Sequence, residues 1–268
     1  MIERATPARP VVEAPPVALI AGLALATAAA WLLMLRQPGH MAVPGRPSLA
    51  EGATFTAQWG LMMTAMMLPS AAPMILLYRT VSGRLRPAGD RAVPAWAFAA
   101  VYLGVWCVIG IPVYGAYLAV AGLAEAWPGF AAAAPRAVAG VLVAAGFYQM
   151  SAAKRVCLRH CEAPLGFLMR RWRSGYAATL DLALRHAGYC VGCCWALMVI
   201  LVAAGAMSIA WVVLISLVVF AEKVLPDGWR TARIVGLALI ALGIAIAIRP
   251  GIAERVRGRA MEMSAHRM

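Results

Sequence analysis

Gly188-Tyr189-Cys190-Val191-Gly192-Cys193-Cys194-Trp195-Ala196-Leu197-Met198 opens an apolar run that continues without a charge to Gly205. Its length and composition are those of a bilayer-crossing helix, which needs about 20 mostly apolar residues. Three thiols sit at its mouth. On a helix Cys190 and Cys194 are four residues apart and share a face, with Cys193 beside them. A lone Cys packs like any small apolar residue. Three together, with Cys157 and Cys161 upstream, point instead to thiol chemistry, either metal or redox.

The rest of the chain is of the same kind. Of its 268 residues 63% are hydrophobic and 13% charged, with a mean hydropathy of +0.78, whereas soluble domains carry roughly a quarter charged residues. The class is all-α: a polytopic transmembrane helix bundle whose partner is the lipid bilayer. The net charge of +13 then belongs to loop Lys and Arg at an anionic membrane surface, not to nucleic acid. Apolar runs at Val17–Leu35, Thr56–Tyr78, Ala95–Gly122, Ala137–Met150, Tyr189–Gly205, Met207–Val224 and Ile234–Ile248 give about seven spans, or six if one is re-entrant. The fifth and sixth are joined by a tight hairpin at Gly205-Ala206-Met207-Ser208. Residues 1–16 read as a disordered cytoplasmic tail, 17–250 as the helical domain, 151–187 as a basic Cys-containing loop within it, and 251–268 as a basic tail. No internal repeat marks the inverted halves common in transporters.

Orientation follows from the basic residues. With the amino terminus inside, two thirds of the 24 Lys and Arg fall on the cytoplasmic side; the carboxyl tail, with Arg249, Arg255, Arg257, Arg259 and Arg267, dissents. This topology brings Cys157, Cys161, Cys190, Cys193, Cys194 and Glu222 to one membrane face. They are the predicted metal ligands, with Glu222 either a hard ligand or a proton acceptor beside the thiols, or else paired with a loop Arg. Lys223, at the span's end, would snorkel to the headgroups.

Lys154-Arg155-Val156-Cys157-Leu158-Arg159-His160-Cys161 sets Cys157 and Cys161 at i and i+4, about 6 Å apart at the β-carbons on a helix, a spacing that suits a shared soft metal. Its basic residues favour thiolates. His160 and His186 are secondary candidates. So is a methionine stripe in the second apolar run, Met62, Met63, Met66, Met67 and Met74, whose neutral thioethers can hold Cu(I) without burying a negative charge. Packing alone also accounts for such a stripe. Pro69 and Pro73 free backbone carbonyls there and predict a kink. No phosphate-binding Gly loop, paired catalytic carboxylates or Ser-His-Asp set is evident, and no catalytic residue is assigned.

Four ordered motifs carry a family resemblance: Trp59 to Met74, Gly146-Phe147-Tyr148-Gln149 running into Lys154–Leu158, Cys190 to Trp195, and Glu222-Lys223-Val224-Leu225-Pro226. Over roughly residues 50 to 250 the chain resembles the bacterial predicted metal-binding integral membrane proteins, a domain-of-unknown-function family. The resemblance implies a multi-pass protein of the bacterial inner membrane that binds metal through its Cys motifs.

Two functional readings stand. One is an integral membrane protein that binds a thiophilic metal ion, Cu(I) or Zn, for delivery, sequestration or transport, with a metal chaperone or metalloprotein as partner. The other is a membrane thiol-disulfide oxidoreductase using Cys190 and Cys193, whose spacing at a helix start is that of a redox pair. Cytoplasmic placement of the thiols weighs against the second, because disulfide formation belongs to oxidising compartments.

Overall fold

A computed structural model describes residues 17–36, 48–85, 93–203, 209–249 and 251. The expected tails at 1–16 and beyond 251, and the hairpin at 205–208, lie outside the described residues. Within them the chain is all-helical: α1 (Val17–Arg36), α2 (Leu49–Leu85), α3 (Ala95–Ala126), α4 (Phe130–Gln149), α5 (Ala152–Glu162), α6 (Pro164–Arg171), α7 (Tyr176–Ala203), α8 (Ile209–Val224) and α9 (Gly228–Ile248).

Among the described residues the expected seven spans are not clearly reached, whereas the alternative count of six is met if one bent pair is counted as a span. Among the described residues α1, α2, α3, α7 and α9 are long and apolar enough to cross a membrane, and the bent pair α4/α5 brings the number to six. The 16 described residues of α8 fall short of the 18 such a span requires.

The basic loop expected at 151–187 is also corrected. It folds as α5, α6 and the first turns of α7, so α7 begins at Tyr176 rather than Tyr189. Polar residues do not stop that helix, because Arg185 donates to Asp181 one turn earlier at 2.8 Å, an i,i+4 pair that supports a helix at an interface. Likewise α2 runs well past Thr56–Tyr78 at both ends and continues as one helix through Pro69 and Pro73.

The interior is built on α2 and α7. α1 is more peripheral, packing one face, Leu19, Leu23, Ala30, Trp31 and Met34, against the core and leaving the rest exposed. Trp59 of α2 is fully buried and donates from Nε1 to Trp106 O of α3 at 2.9 Å. α3 and α5 pack on α7, α8 packs on α2, and α4 lies along α9.

The last pair is a glycine contact. A Cβ on Gly146 would stand 2.6 Å from Gly236 O, and one on Gly236 2.8 Å from Gly146 O. Small residues let helix backbones approach where lipid supplies no hydrophobic drive for association. Gly236→Leu should therefore separate α4 from α9, and fluorescence-detected size exclusion in mild detergent should show loss of the monodisperse folded peak.

Between α4 and α5 the axis turns by 61°. Ser151 caps the new helix, its Oγ accepting from Lys154 N at 3.2 Å, as an N-cap serine does. The bend folds α5 back onto α7, the move that assembles the site.

Candidate metal centre

α5 presents Lys154, Cys157, Leu158 and Cys161 at i, i+3, i+4 and i+7, a single helical face. Lys154 and Leu158 are buried and both thiols half-buried, while Arg155, Val156 and Arg159 point outward. Arg155 lies over the Trp229 ring, 5.4 Å from its centroid. The facing surface of α7 has Gly192 where the helices meet: a Cβ there would stand 2.7 Å from Cys157 Sγ. Tyr148 donates its hydroxyl to Gly192 O, fixing the end of α4 to the same spot.

This packing brings Cys161 Sγ to 4.0 Å from Cys193 Sγ. Two sulfurs sharing an ion through bonds of about 2.3 Å stand ~3.8 Å apart in a tetrahedral site and ~4.6 Å apart in a linear one. The separation falls in that interval, and it is equally the contact distance of two packed thiols. Cys193 and Cys194 are buried on α7 and donate to Cys190 O at 3.1 and 3.0 Å. Among the described residues no three His, Cys, Asp or Glu side chains converge as a ready metal cage; the thiols form a contiguous group whose one direct bridge between helices is Cys161–Cys193.

Cys190 lies well inside α7, which removes the expected helix-start position for a redox pair. Its Sγ meets the Tyr102 hydroxyl at 3.0 Å and Lys223 Nζ at 2.9 Å. Lys223 is buried and reaches inward, also donating to Ser70 Oγ at 3.3 Å; the expected snorkelling does not occur. Glu222 is corrected too. It is 1% exposed, and its oxygens accept from Gln149 Nε2 at 2.7 Å and Lys154 Nζ at 2.6 Å, so it is spent on a buried ion pair rather than turned to the thiols or to a loop Arg. Lys154 also donates to Gln149 Oε1.

The secondary candidates divide. His160 shares a hydrogen bond between Nδ1 and Val156 O at 2.8 Å and stacks on Tyr189 at 3.9 Å. His186 is buried among Phe98, Tyr102 and Phe167. One turn before Cys190, its Nδ1 has no hydrogen-bond partner among the described residues. Met62, Met63, Met66, Met67 and Met74 are all buried in α2, and Met67 Sδ stands 3.9 Å from Lys223 Nζ. Cys107 lies apart, against Gly60. Lys223, Tyr102 and Ser70 are the site neighbours that the sequence did not reveal; an ammonium inside an apolar run was the one available signal, and its direction was misjudged.

Among the described residues the chain is thus all-helical, with five or six helices apolar enough to cross a membrane and a group of cysteines buried between them. The family model described as PpoB2, copper chaperone, matches residues 56–246, a stretch that contains all the candidate ligands, and the chain belongs to that family. Its function is copper-related. No curated protein and no solved structure matches it.

Proposed function

We propose that this protein is a multi-pass component of a bacterial inner membrane that binds Cu(I) through thiols at its cytoplasmic side and delivers it to a metalloprotein. The observation that carries the reading is the Cys161–Cys193 contact of 4.0 Å, made by two helices that the 61° bend folds together. Soft thiolates and thioethers favour Cu(I), and a site that offers pairs rather than a cage suits an ion satisfied by few ligands. Structural zinc sites use four ligands in a tetrahedron. Cys157, Cys190 and Cys194 supply exchange partners around the central pair. His186 and the Met62–Met67 stretch extend soft or borderline donors into the bundle, a route between the thiols and the membrane interior. The excess of Arg on α5 and α6 supports the cytoplasmic placement.

Family membership favours this reading over thiol-disulfide exchange, and the interior position of Cys190 deprives the redox alternative of its activating helix terminus.

Protein purified in mild detergent should take up about one Cu(I) per chain, with a thiolate-to-copper absorption band, and should retain it in a large excess of Zn(II). The Cys107→Ser variant should behave identically. Zn(II) that displaces the copper, or copper uptake lost with Cys107, would overturn the reading.

A further inference from the structure

Lys223 is 7% exposed, and among the described residues no carboxylate pairs with it: the buried carboxylate beside it in sequence, Glu222, is given to Lys154. A cation buried without an opposite charge is too costly to persist. Its contacts are a thiol, a hydroxyl and a thioether: Cys190 Sγ at 2.9 Å, Ser70 Oγ at 3.3 Å and Met67 Sδ at 3.9 Å. The one acidic group that touches Lys223 among the described residues is the Cys190 thiol. Cys193, half of the Cys161–Cys193 contact, donates to the backbone oxygen of the same Cys190 at 3.1 Å, so the ammonium stands beside the bridging pair.

We propose that Lys223 is the fixed counter-cation of the thiol site and selects its ion by charge. Two thiolates and one Cu(I) carry a net charge of −1, which one ammonium neutralises. The same two thiolates with a divalent ion are already neutral, and the ammonium leaves the buried site with an uncompensated positive charge. Lys223 thus favours a monovalent soft ion over a divalent one without being a ligand. The hydrogen bonds to Ser70 and Cys190 hold the charge in place. This inference rests on the copper reading above and names the residue that determines its specificity.

The test is the ratio of monovalent to divalent affinity, measured by chelator competition on the full-length protein in detergent, with Cu(I) and Ag(I) against Zn(II) and Cd(II). Lys223→Met should weaken Cu(I) and Ag(I) by roughly 30-fold or more, as loss of one partner of a buried charge pair does, and leave Zn(II) and Cd(II) unchanged or tighter. Lys223→Arg, which keeps the charge, should preserve the wild-type ratio. Lys223→Gln retains a hydrogen-bond donor of similar reach and should behave like Lys223→Met; it serves if the Met variant is not recovered folded. A ratio that stays constant in the neutral variants, even with all affinities lowered together, would overturn the proposal and leave Lys223 a packing residue. Wild-type protein that binds no Cu(I) would instead overturn the copper reading itself, and this inference with it.

Discussion

Glu222→Ala should destabilise the protein by about 3–5 kcal/mol, the usual cost of stripping one partner from a buried ion pair. Lys154 and Gln149 are 0% exposed and Glu222 1%, so no water replaces the lost carboxylate. Against a typical total stability of about 5–15 kcal/mol, that loss is a large fraction of the whole. The destabilisation comes from the orphaned ammonium, not from the missing bond. A triple variant with Gln149→Leu, Lys154→Met and Glu222→Leu removes every polar member together, and should recover most of the stability, because well-packed apolar residues replace buried ion pairs at little or no cost. Thermal unfolding in detergent reads both. A single Glu222→Ala variant as stable as wild type would mean that the ion pair between α5 and α8 does not hold in solution.

Copper binding should collapse to the same extent whichever helix loses its thiols. Cys157→Ser with Cys161→Ser removes the α5 donors, and Cys190→Ser with Cys193→Ser removes two of those on α7. If Cys161 and Cys193 share one ion, each double variant should lose more than the ~10–100-fold in affinity that outer-sphere partners of metal sites account for. Stoichiometry measured at saturation decides the arrangement. Half the copper retained in each variant would mean two independent sites, one per helix, and the 4.0 Å contact would then be incidental packing. Serine keeps size and donor capacity and leaves a hydroxyl within reach of Lys223, and the size-exclusion peak checks that each variant is folded before its copper is counted.

The apolar runs identified the helices, and the i,i+4 spacing of Cys157 and Cys161 placed both thiols on one face of α5. Helix ends were legible only where hydropathy and helix coincide. Thr54 at the start of α2, and Asp181 and Arg185 near the start of α7, are polar yet helical, Thr54 bonding back to Ala50 O and Arg185 pairing with Asp181 one turn earlier. Likewise the stretch 151–175 reads as a loop, although its buried residues, Lys154, Leu158, Phe167 and Leu168, are spaced for two short helices. The meeting of Cys161 with Cys193 follows from topology, which any sequence reading can propose. The partners of Glu222 and Lys223 do not, since neighbouring residues on a helix diverge by about 100° and only tertiary packing decides which faces the sulfur.

That divergence has a consequence for α8. Its buried face otherwise consists of Val212, Ile215 and Val219, aliphatic residues of similar shape that would pack almost as well after a small rotation. Turn α8 by one residue in one sense and the carboxylate of Glu222 meets the thiol sulfurs; turn it in the other and the ammonium of Lys223 meets that of Lys154, so either rotation replaces an attractive contact with a repulsive one. The opposite signs of two adjacent residues thus work as an angular key, giving the helix one seating in an apolar environment that could not by itself distinguish one azimuth from another.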